Sequence, residues 1–320
     1  MKRLLVAALL LAAAALPAHA FPIPDKPVRI VVPYPAAGPL DITARAIAQR
    51  LSPILGVPVV VENKPGASSI LGTMEVVKAA PDGHTLLYTI SNTVSLNPHL
   101  FAKLPYDGFR DLTPVMMTAQ GALVLVASAK APFGSVPAVM AHAKRNPGKV
   151  NIASYSPGSG SHLAAEMFKE AAGIDLLHIP FKGSPDANLA LASGDVQLLF
   201  DAPLAAIQNA KAGKVKLLAY ADAKRHPLLP DVPTLGEAGV AGMELTGGMQ
   251  LFGPGGMPPD RVAKLNAALA VAVKSPEVAK VFTDGGMEVV ASSPQELARA
   301  VREGYERAGP VIRRLGLKLD

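Results

Sequence analysis

Residues 33–41 (PYPAAGPLD) join an apolar run to a helical pattern, and this junction constrains the fold more than any other feature. The preceding run, 28–32, is typical of a buried strand, and apolar residues then recur every three or four positions over 40–54. Gly38 followed by Pro39 favours a helix that begins there. The junction therefore predicts a strand, a tight turn and a helix whose free N–H groups attract anions.

The chain repeats this order of elements further along. Strands are predicted at 57–61 and 85–89 with helical segments between them, and the pattern restarts with a strand at 123–126. Near-continuous apolar strands that alternate with helices indicate mainly parallel, doubly wound α/β sheets. A second glycine-rich turn, 155–162 (YSPGSGSH), follows a strand at 150–154 and precedes another helix. Ligands of open α/β sheets bind beyond the carboxyl ends of the strands, so both turns are candidate binding elements.

Residues 1–20 have the pattern of a secretory signal peptide. Lys2 and Arg3 precede an apolar run, and Ala18-His19-Ala20 forms a cleavage site. Cleavage after Ala20 predicts an exported chain: 320 residues less 20 leaves 300, and loss of the two basic residues lowers the formal net charge from +6 to +4. No other apolar stretch approaches the ~20 residues that a membrane span needs.

A mature chain of this length exceeds a comfortable single core, which predicts two domains. The last helices are expected to pack back on the first part of the chain, so that the chain crosses between the domains twice. Domain 1 is therefore predicted to comprise 21–123 plus 246–320, and domain 2 to comprise 124–245, with the ligand cleft between them.

The composition and the motifs exclude several kinds of site. The chain contains no cysteine, so disulfides, thiolate metal ligands and cysteine nucleophiles are excluded. A modest positive charge without Arg/Lys clusters does not indicate nucleic acid and is compatible with a small anionic ligand. The G-x-S-x-G, H-E-x-x-H and G-x-x-x-x-G-K-[ST] motifs are absent, and Gly158-x-Gly160 lacks the third glycine of a dinucleotide site. No close pairing of histidines indicates a metal site. We predict no catalytic residue, no metal and no cofactor.

Several polar side chains lie where a ligand could bind, and each has a structural alternative. Ser91 and Thr93 follow the strand at 85–89, where hydroxyl groups can bind a ligand or form a turn. Asp41 can stabilise the first helical turn or meet an amino group of the ligand. Lys182 could supply a counter-charge or be solvated. Asp201 ends a predicted strand and is as ambiguous as Asp41.

Short motifs spread over the whole mature chain resemble those of the substrate-binding receptors of tripartite tricarboxylate transporters, the Bug-type family. Each motif is weak alone, whereas their combination in this order is highly specific. The motifs are KPVRIVVP at 26–33, VVENKPG at 60–66, APDGHTLL at 80–87, NP at 97–98, LPYD at 104–107, SHL at 161–163, FKGS at 181–184, LPDVPT at 229–234 and GEAG at 236–239.

The resemblance implies a two-domain, periplasmic-binding-protein-like α/β fold that closes on a small carboxylate without performing chemistry. It implies delivery of the ligand to the permease subunits of a membrane transporter, and a monomeric receptor. It also implies that main-chain N–H groups and hydroxyls of the two turns hold the carboxylate. With Lys182 and Asp201 added, the predicted ligand-binding residues are Ala36, Ala37, Gly38, Asp41, Ser91, Thr93, Gly158, Ser159, Ser161, His162, Lys182 and Asp201.

At three positions this sequence differs from the residues that are usual in the family it resembles. Family members usually have glycine where Ala37 stands, serine or threonine where Leu40 stands, and often tryptophan where Gly248 stands. The change at Leu40 removes a hydroxyl donor, so the three departures could indicate a bulkier or less polar ligand or an altered closure.

Two other functions remain alternatives at this point. A sensor would use the same fold to present a bound ligand to a signalling partner. A secreted hydrolase would use Ser159 or Ser161 as nucleophile and His162 as general base.

Overall fold

Two β-sheets, each covered by helices, make up the computed structural model, which describes residues 21–243 and 245–319. The first sheet has six strands and the second has five. The predicted signal peptide, residues 1–20, lies outside the described residues. Within the described part of the chain, no helix has both the length and the apolar character that crossing a membrane requires.

The first sheet and the helices packed on it form what we call the first lobe. Its strands are β1 (Val28–Val32), β2 (Val59–Asn63), β3 (Thr85–Ile90), β4 (Leu112–Ala122), β10 (Thr246–Pro254) and β11 (Glu288–Val289). Its helices are α1 (Pro39–Leu55), α2 (Ile70–Val77), α3 (Asn97–Leu100), α8 (Pro259–Val273), α9 (Pro276–Asp284) and α10 (Pro294–Arg314), and a π-helical turn spans Asn92–Leu96.

The second sheet and its helices form the second lobe. Its strands are β5 (Val124–Ser128), β6 (Asn151–Ser154), β7 (Leu177–Pro180), β8 (Leu198–Asp201) and β9 (Val215–Tyr220). Its helices are α4 (Val136–Arg145), α5 (Gly160–Ala172), α6 (Ser184–Ser193) and α7 (Pro203–Lys211).

The chain passes between the two sheets twice. It leaves the first sheet at the end of β4 and enters β5 after the single residue Leu123. It returns in β10, and just before that strand Leu245 N–H donates to Ala221 O at 2.9 Å. The strand order is β2-β1-β3-β10-β4-β11 in the first sheet and β7-β6-β8-β5-β9 in the second. The strands that carry the crossings, β4, β5 and β10, run antiparallel to their neighbours, whereas β1 pairs in parallel with β2 and β3, and β6 with β7 and β8. Both sheets are therefore mixed and not mainly parallel as predicted, because the strands that carry the crossings pair antiparallel with their neighbours. The predicted α/β fold with two sheets is confirmed.

The junction at 33–41 folds as its sequence pattern predicts. β1 ends at Val32, Gly38 has an extended backbone as the N-cap residue, and Pro39 opens α1. Leu40, Ile47 and Leu51 of α1 are buried in the core of the first lobe, because they recur on one helix face. This packing fixes the direction in which the first turn of α1 points.

A smaller apolar cluster joins the lobes outside the crossing segments. Leu96 and Leu100 of the first lobe pack with Leu163 of α5 and with Ile312 of α10, and the C-terminal residues Leu317 and Leu319 cover them. Leu319 N–H also donates to Leu100 O at 3.0 Å. The end of the chain therefore holds the two lobes against each other.

Candidate functional site

The first turn of α1 is tied together by a buried carboxylate. Ala37 has a left-handed backbone with φ 62°, and its N–H donates to Asp41 Oδ2 at 2.9 Å. Arg45 Nε donates to the same oxygen at 3.1 Å, and its Nη2 lies 2.9 Å from Asp41 Oδ1 without hydrogen-bonding alignment. Asp41 is only 4% exposed. It therefore stabilises the turn, which is the structural alternative that the sequence left open.

Burial alone would raise the pKa of Asp41, but hydrogen bonds from Arg45 and Ala37 outweigh it and hold this pKa below its usual value. Asn63 contributes in the same direction and also accepts from Arg45 at 3.0 Å. The carboxylate is thus ionised and already paired at neutral pH. Among the predicted residues of this turn, Ala36 and Ala37 are exposed and Gly38 is half-buried.

Among the helices of residues 21–243 and 245–319, three that lack a side-chain cap begin at the cleft between the lobes. They are α1 after Gly38, α6 after Gly183 and α7 after Ala202. Their first N–H groups have no partner within the helix, so a ligand can accept hydrogen bonds from them. By contrast, Ser135, Ser159 and Ser293 cap α4, α5 and α10 with their own side chains.

These three helix N-termini lie against each other across the cleft. A methyl group built on Gly183 would meet the Pro35 ring at 3.4 Å. Ala202 and Pro203 line a small apolar cavity of about 20 Å³ together with Pro39 and Thr43 of α1, and apolar side chains such as Met249, Phe282 and Met287 complete its wall. The turn before α1 therefore faces the starts of both α6 and α7.

The second glycine-rich turn uses most of its polar groups internally. Ser159 Oγ accepts from His162 N–H at 3.3 Å and donates to Ser156 O at 2.7 Å. Ser161 Oγ accepts from Tyr155 N–H at 3.0 Å, and His162 Nδ1 accepts from Gly158 N–H at 2.9 Å. The hydroxyl groups predicted to hold the ligand here also stabilise the turn.

The second turn meets the π-helical turn of the first lobe. Asn92 Nδ2 donates to Gly158 O at 3.2 Å, and Ser68 Oγ donates to Pro157 O at 3.4 Å. A methyl group built on Gly158 would lie 2.5 Å from Leu319 Cδ1 and 2.8 Å from Leu100 Cδ1. Gly158 thus lies in the contact between the lobes.

Ser91 and Thr93 are bonded within the first lobe. Ser91 Oγ accepts from Gly248 N–H at 2.9 Å and from Gln250 Nε2 at 3.1 Å, which fastens the π-helical turn to β10. Thr93 is fully buried, and its Oγ1 lies 2.6 Å from Thr89 Oγ1 and 2.9 Å from Ser69 Oγ. Both hydroxyls position the segment that follows β3.

Asp201 and Lys182 lie next to the uncapped helix N-termini of the second lobe. Asp201 is fully buried at the end of β8, and its Oδ1 accepts from Tyr155 Oη, Ala202 N–H and Asn188 Nδ2 at 2.5, 2.9 and 3.2 Å. Its Oδ2 is buried without a hydrogen-bond partner among the described residues. Burial raises the pKa of Asp201 to about 6 although the three donors oppose this shift. Lys182 is exposed one residue before Gly183.

Two histidines that are distant in sequence stack in the second lobe. The rings of His162 and His178 are 3.9 Å apart between centroids and 7° from parallel, and His162 Nε2 lies 4.0 Å from Glu166 Oε1. Burial lowers the pKa of both rings, that of His178 to about 4. A metal ion lies in the plane of each imidazole that binds it, about 2.0–2.1 Å from nitrogen. Two parallel planes do not offer such a point, and Lys169 already binds Glu166 at 2.8 Å. The cluster fits a neutral stacked pair rather than a metal centre.

The hydrolase alternative lacks the contact that it needs. Nδ1 of His162 is occupied by Gly158 N–H, and the Ser159 and Ser161 hydroxyls bond to each other at 3.0 Å and to the turn. In the part of the chain that the structure describes, neither serine is hydrogen-bonded to a ring nitrogen of His162.

Sequence reasoning missed two parts of the site. Gly183-Ser184 and Ala202-Pro203 begin helices at the cleft, although only their neighbours Lys182 and Asp201 were predicted to matter. The available signal was proline at the start of a helix without a Ser, Thr, Asp or Asn cap. Tyr155 and Asn188 were also missed, because their contact with Asp201 joins three elements that are distant in sequence.

Comparison with known proteins identifies the family. The model of the tripartite tricarboxylate transporter family receptor matches residues 43–317. The structure of the periplasmic binding protein BugD is 32% identical, covers 92% of this chain and 100% of its own, and superposes with a TM-score of 0.86. Rpa4515 of R. palustris with adipate gives 31% identity, 92% and 99% coverage and a TM-score of 0.88. MatC of Rhodopseudomonas palustris with bound malate is 34% identical, covers 90% of this chain and 99% of its own, and superposes with a TM-score of 0.85.

These relatives cover the length of the chain that carries both lobes and the cleft. The family consists of periplasmic solute-binding receptors and not of enzymes, which confirms the interpretation of the chain as a receptor without catalytic function. The chain therefore belongs to the tripartite tricarboxylate transporter receptor family, as its sequence motifs predict.

Proposed function

We propose that this protein captures a small carboxylate between its lobes in the periplasm and delivers it to the permease subunits of a membrane transporter. One observation carries the proposal: the uncapped N-termini of α1, α6 and α7 meet at the cleft from both lobes. Each presents unpaired N–H groups and the positive end of a helix dipole. A carboxylate bound there receives hydrogen bonds from both sides of the cleft, so that binding favours contact between the lobes.

The ligand-binding residues in this proposal fall into two groups. The turn before α1 and the starts of α6 and α7 bind the carboxylate, with Ala36, Ala37 and Gly38 on one side and Lys182 nearby on the other. The second group positions these elements or borders the ligand: Asp41, Ser91, Thr93, Gly158, Ser159, Ser161, His162 and Asp201. Relatives support the carboxylate class, since Rpa4515 was solved with adipate and MatC with malate.

Entry of such a ligand requires the lobes to move apart. The cavity between Pro39, Thr43, Ala202 and Pro203 measures about 20 Å³, roughly the room of a single water molecule. We propose that the two domains, 21–123 with 246–320 and 124–245, open about their crossing segments and close on the ligand, which presents a defined surface to the permease. We also propose cleavage of the signal peptide after Ala20 and a monomeric receptor.

Thermal unfolding of the mature protein with a panel of organic anions tests this function. The panel pairs each mono-, di- and tricarboxylate with its uncharged amide as a matched control. A ligand at ~100 times its dissociation constant stabilises by about 2.7 kcal/mol, which raises the Tm by several degrees for a protein of this size. We expect shifts with carboxylates and none with the amides. Shifts with the amides alone would contradict the proposal.

A further inference from the structure

The two oxygens of the Asp201 carboxylate have very different surroundings. Three donors converge on Oδ1: the Tyr155 hydroxyl at 2.5 Å, Ala202 N–H at 2.9 Å and Asn188 Nδ2 at 3.2 Å. Oδ2 is equally buried but receives no hydrogen bond from any described residue. A buried oxygen of a carboxylate normally has a partner, so this oxygen has an unused capacity to accept.

The polar groups around Asp201 donate hydrogen bonds to it. Such donors favour the ionised carboxylate, which only accepts hydrogen bonds. Asn188 turns its amide nitrogen to Asp201 because its amide oxygen accepts from Asn209 at 2.7 Å. Burial and the Asp201 charge raise the pKa of Tyr155 well above its usual value, so the phenol keeps its proton and donates. With a pKa raised to about 6, Asp201 is mostly ionised at neutral pH.

Asp201 stands where the second lobe borders the cleft. It is the last residue of β8, directly before Ala202 and Pro203, which share a cavity with Pro39 and Thr43 of the first lobe. Asn188 lies in the second turn of α6, the other helix that begins at the cleft without a side-chain cap. Through Oδ1 the Asp201 carboxylate is therefore bonded to the residue before α7 and to the second turn of α6, the two helices of this lobe that begin at the cleft.

We infer that Asp201 Oδ2 accepts a hydrogen bond from the ligand, so that the cargo is a carboxylate that carries its own donor, a hydroxyl or an ammonium group. The inference rests on the proposed function and narrows it. The helix N-termini bind the carboxylate of the ligand, and Asp201 binds the donor. A plain dicarboxylate of the same length leaves Oδ2 without a partner.

Matched ligands and a matched pair of variants test the inference. Succinate, malate and aspartate share a four-carbon skeleton and differ at one carbon, where they carry hydrogen, hydroxyl and ammonium; glutarate, 2-hydroxyglutarate and glutamate repeat the series with one more carbon. Titration calorimetry measures each of them with the wild-type protein, with Asp201→Asn and with Asp195→Asn. The amide of Asp201→Asn keeps an oxygen for the three donors and replaces the accepting Oδ2 by a donor. Asp195 is an exposed acid of the same lobe and controls for the loss of one charge.

We expect the wild-type protein to bind one donor-bearing acid at least tenfold more tightly than the plain acid of the same length. Asp201→Asn should remove this preference, so that the donor-bearing acid and the plain acid of the same length bind it with similar affinity, whereas Asp195→Asn should keep the preference of the wild-type protein. Loss of malate or 2-hydroxyglutarate binding identifies a hydroxyl, and loss of aspartate or glutamate binding identifies an ammonium group.

Four results would overturn the inference or its basis. Equal affinities within each series, or a preference that survives in Asp201→Asn, refute the role of Oδ2 and leave the receptor function standing. Binding that tightens below pH 6 and is lost in Asp201→Asn shows that a protonated Asp201 donates to the ligand, which also refutes an accepting Oδ2. Failure of the folded wild-type protein to bind any acid, here and in the wider panel, overturns the proposed function itself.

Discussion

Replacing Gly158 by alanine tests whether contact between the lobes is part of ligand binding. Gly158 has a left-handed backbone with φ 72°, and its Cα faces Leu100 and Leu319 of the first lobe. An added methyl would lie 2.5 Å from Leu319 Cδ1 and 2.8 Å from Leu100 Cδ1. Since carbon atoms pack at about 3.5–4.0 Å, each contact must lengthen by about 1 Å. Leu100 is buried, so the two lobes must separate or both leucines must move.

The substitution has two separable costs. An L-residue in the left-handed region costs roughly 1–2 kcal/mol, and this cost lowers the stability of the second lobe. Overpacking of the contact costs about 1–3 kcal/mol, and it applies only while the lobes touch. The second cost therefore reduces ligand affinity, by about 5- to 150-fold.

Gly173→Ala is the matched control. Gly173 has φ 59°, and a methyl built there meets no atom within 4 Å. In chemical unfolding Gly173→Ala should lose only the cost of the left-handed backbone, and Gly158→Ala should lose at least as much. Only Gly158→Ala should lose affinity for the carboxylate that binds best in the anion panel. Adding Leu319→Ala to Gly158→Ala removes one of the two clashing side chains and should restore part of that affinity. Equal affinities of the two single variants would refute the role of this contact.

Three further changes have directions that the structure determines. Ala37→Gly should raise the free energy of unfolding by up to about 1 kcal/mol, because Ala37 has φ 62°, and a lower denaturation midpoint would contradict this. Because its pKa is about 6 in the folded protein and 3.8 in the unfolded chain, Asp201 binds its proton more tightly in the folded state. This proton contributes up to roughly 3 kcal/mol to the free energy of unfolding below pH 3.8, and the contribution is lost as the pH rises through about 6. Asp201→Asn should therefore lose less stability than the wild-type protein between pH 4 and pH 7. Deleting 317–320 removes two half-buried leucines from the cluster between the lobes and should cost about 1–2 kcal/mol and enlarge the radius of gyration in small-angle scattering.

The sequence allowed the first junction to be predicted because every signal there is local. The apolar run of β1, Gly38 at the N-cap, Pro39 at the first helical position and the apolar face of α1 all lie within one stretch, and they agree with each other. The fold class followed from repetition of this unit along the chain.

β4 could not be predicted with the same reasoning. Its eleven residues, Leu112–Ala122, include Pro114, which cannot donate to a neighbouring strand and argues against a strand interior. In the structure β4 has a paired strand on only one side at Pro114. There β10 is its partner, whereas β11 on the other side pairs only with Ala119 and Gln120. The register also shifts beside Phe252, the residue opposite Pro114. A free edge and an irregular register accommodate the proline, and neither is visible in the sequence.

Only the local parts of the candidate site could be predicted, because contacts between distant segments leave no pattern in the sequence. The glycines of the turn at 155–162 attracted attention, yet Ser159 caps the helix that follows. Unlike α5, helices α6 and α7 begin without a side-chain acceptor as cap. Their starts approach α1 only after both lobes have folded. The open oxygen of Asp201 depends on Tyr155 and Asn188, which other elements bring to it. Tertiary contacts of this kind have no local pattern.

The departures from the family pattern gain a physical meaning from these contacts. The Leu40 side chain is 5% exposed and packs in the core of the first lobe, so this position offers the cleft no hydroxyl. At Gly248, Met117 fills the space beside the backbone, since its sulfur lies too close to the position of an added Cβ for both to fit. In the proposed site, the first lobe therefore presents fewer side-chain donors to the ligand than the family pattern implies, and main-chain N–H groups of the described turn before α1 take their place. With Asp201 as an acceptor in the second lobe, the two sides of the proposed site have different tasks. Main-chain N–H donors bind the carboxylate group that all these ligands share, and the buried Asp201 selects the ligands that carry a hydrogen-bond donor of their own.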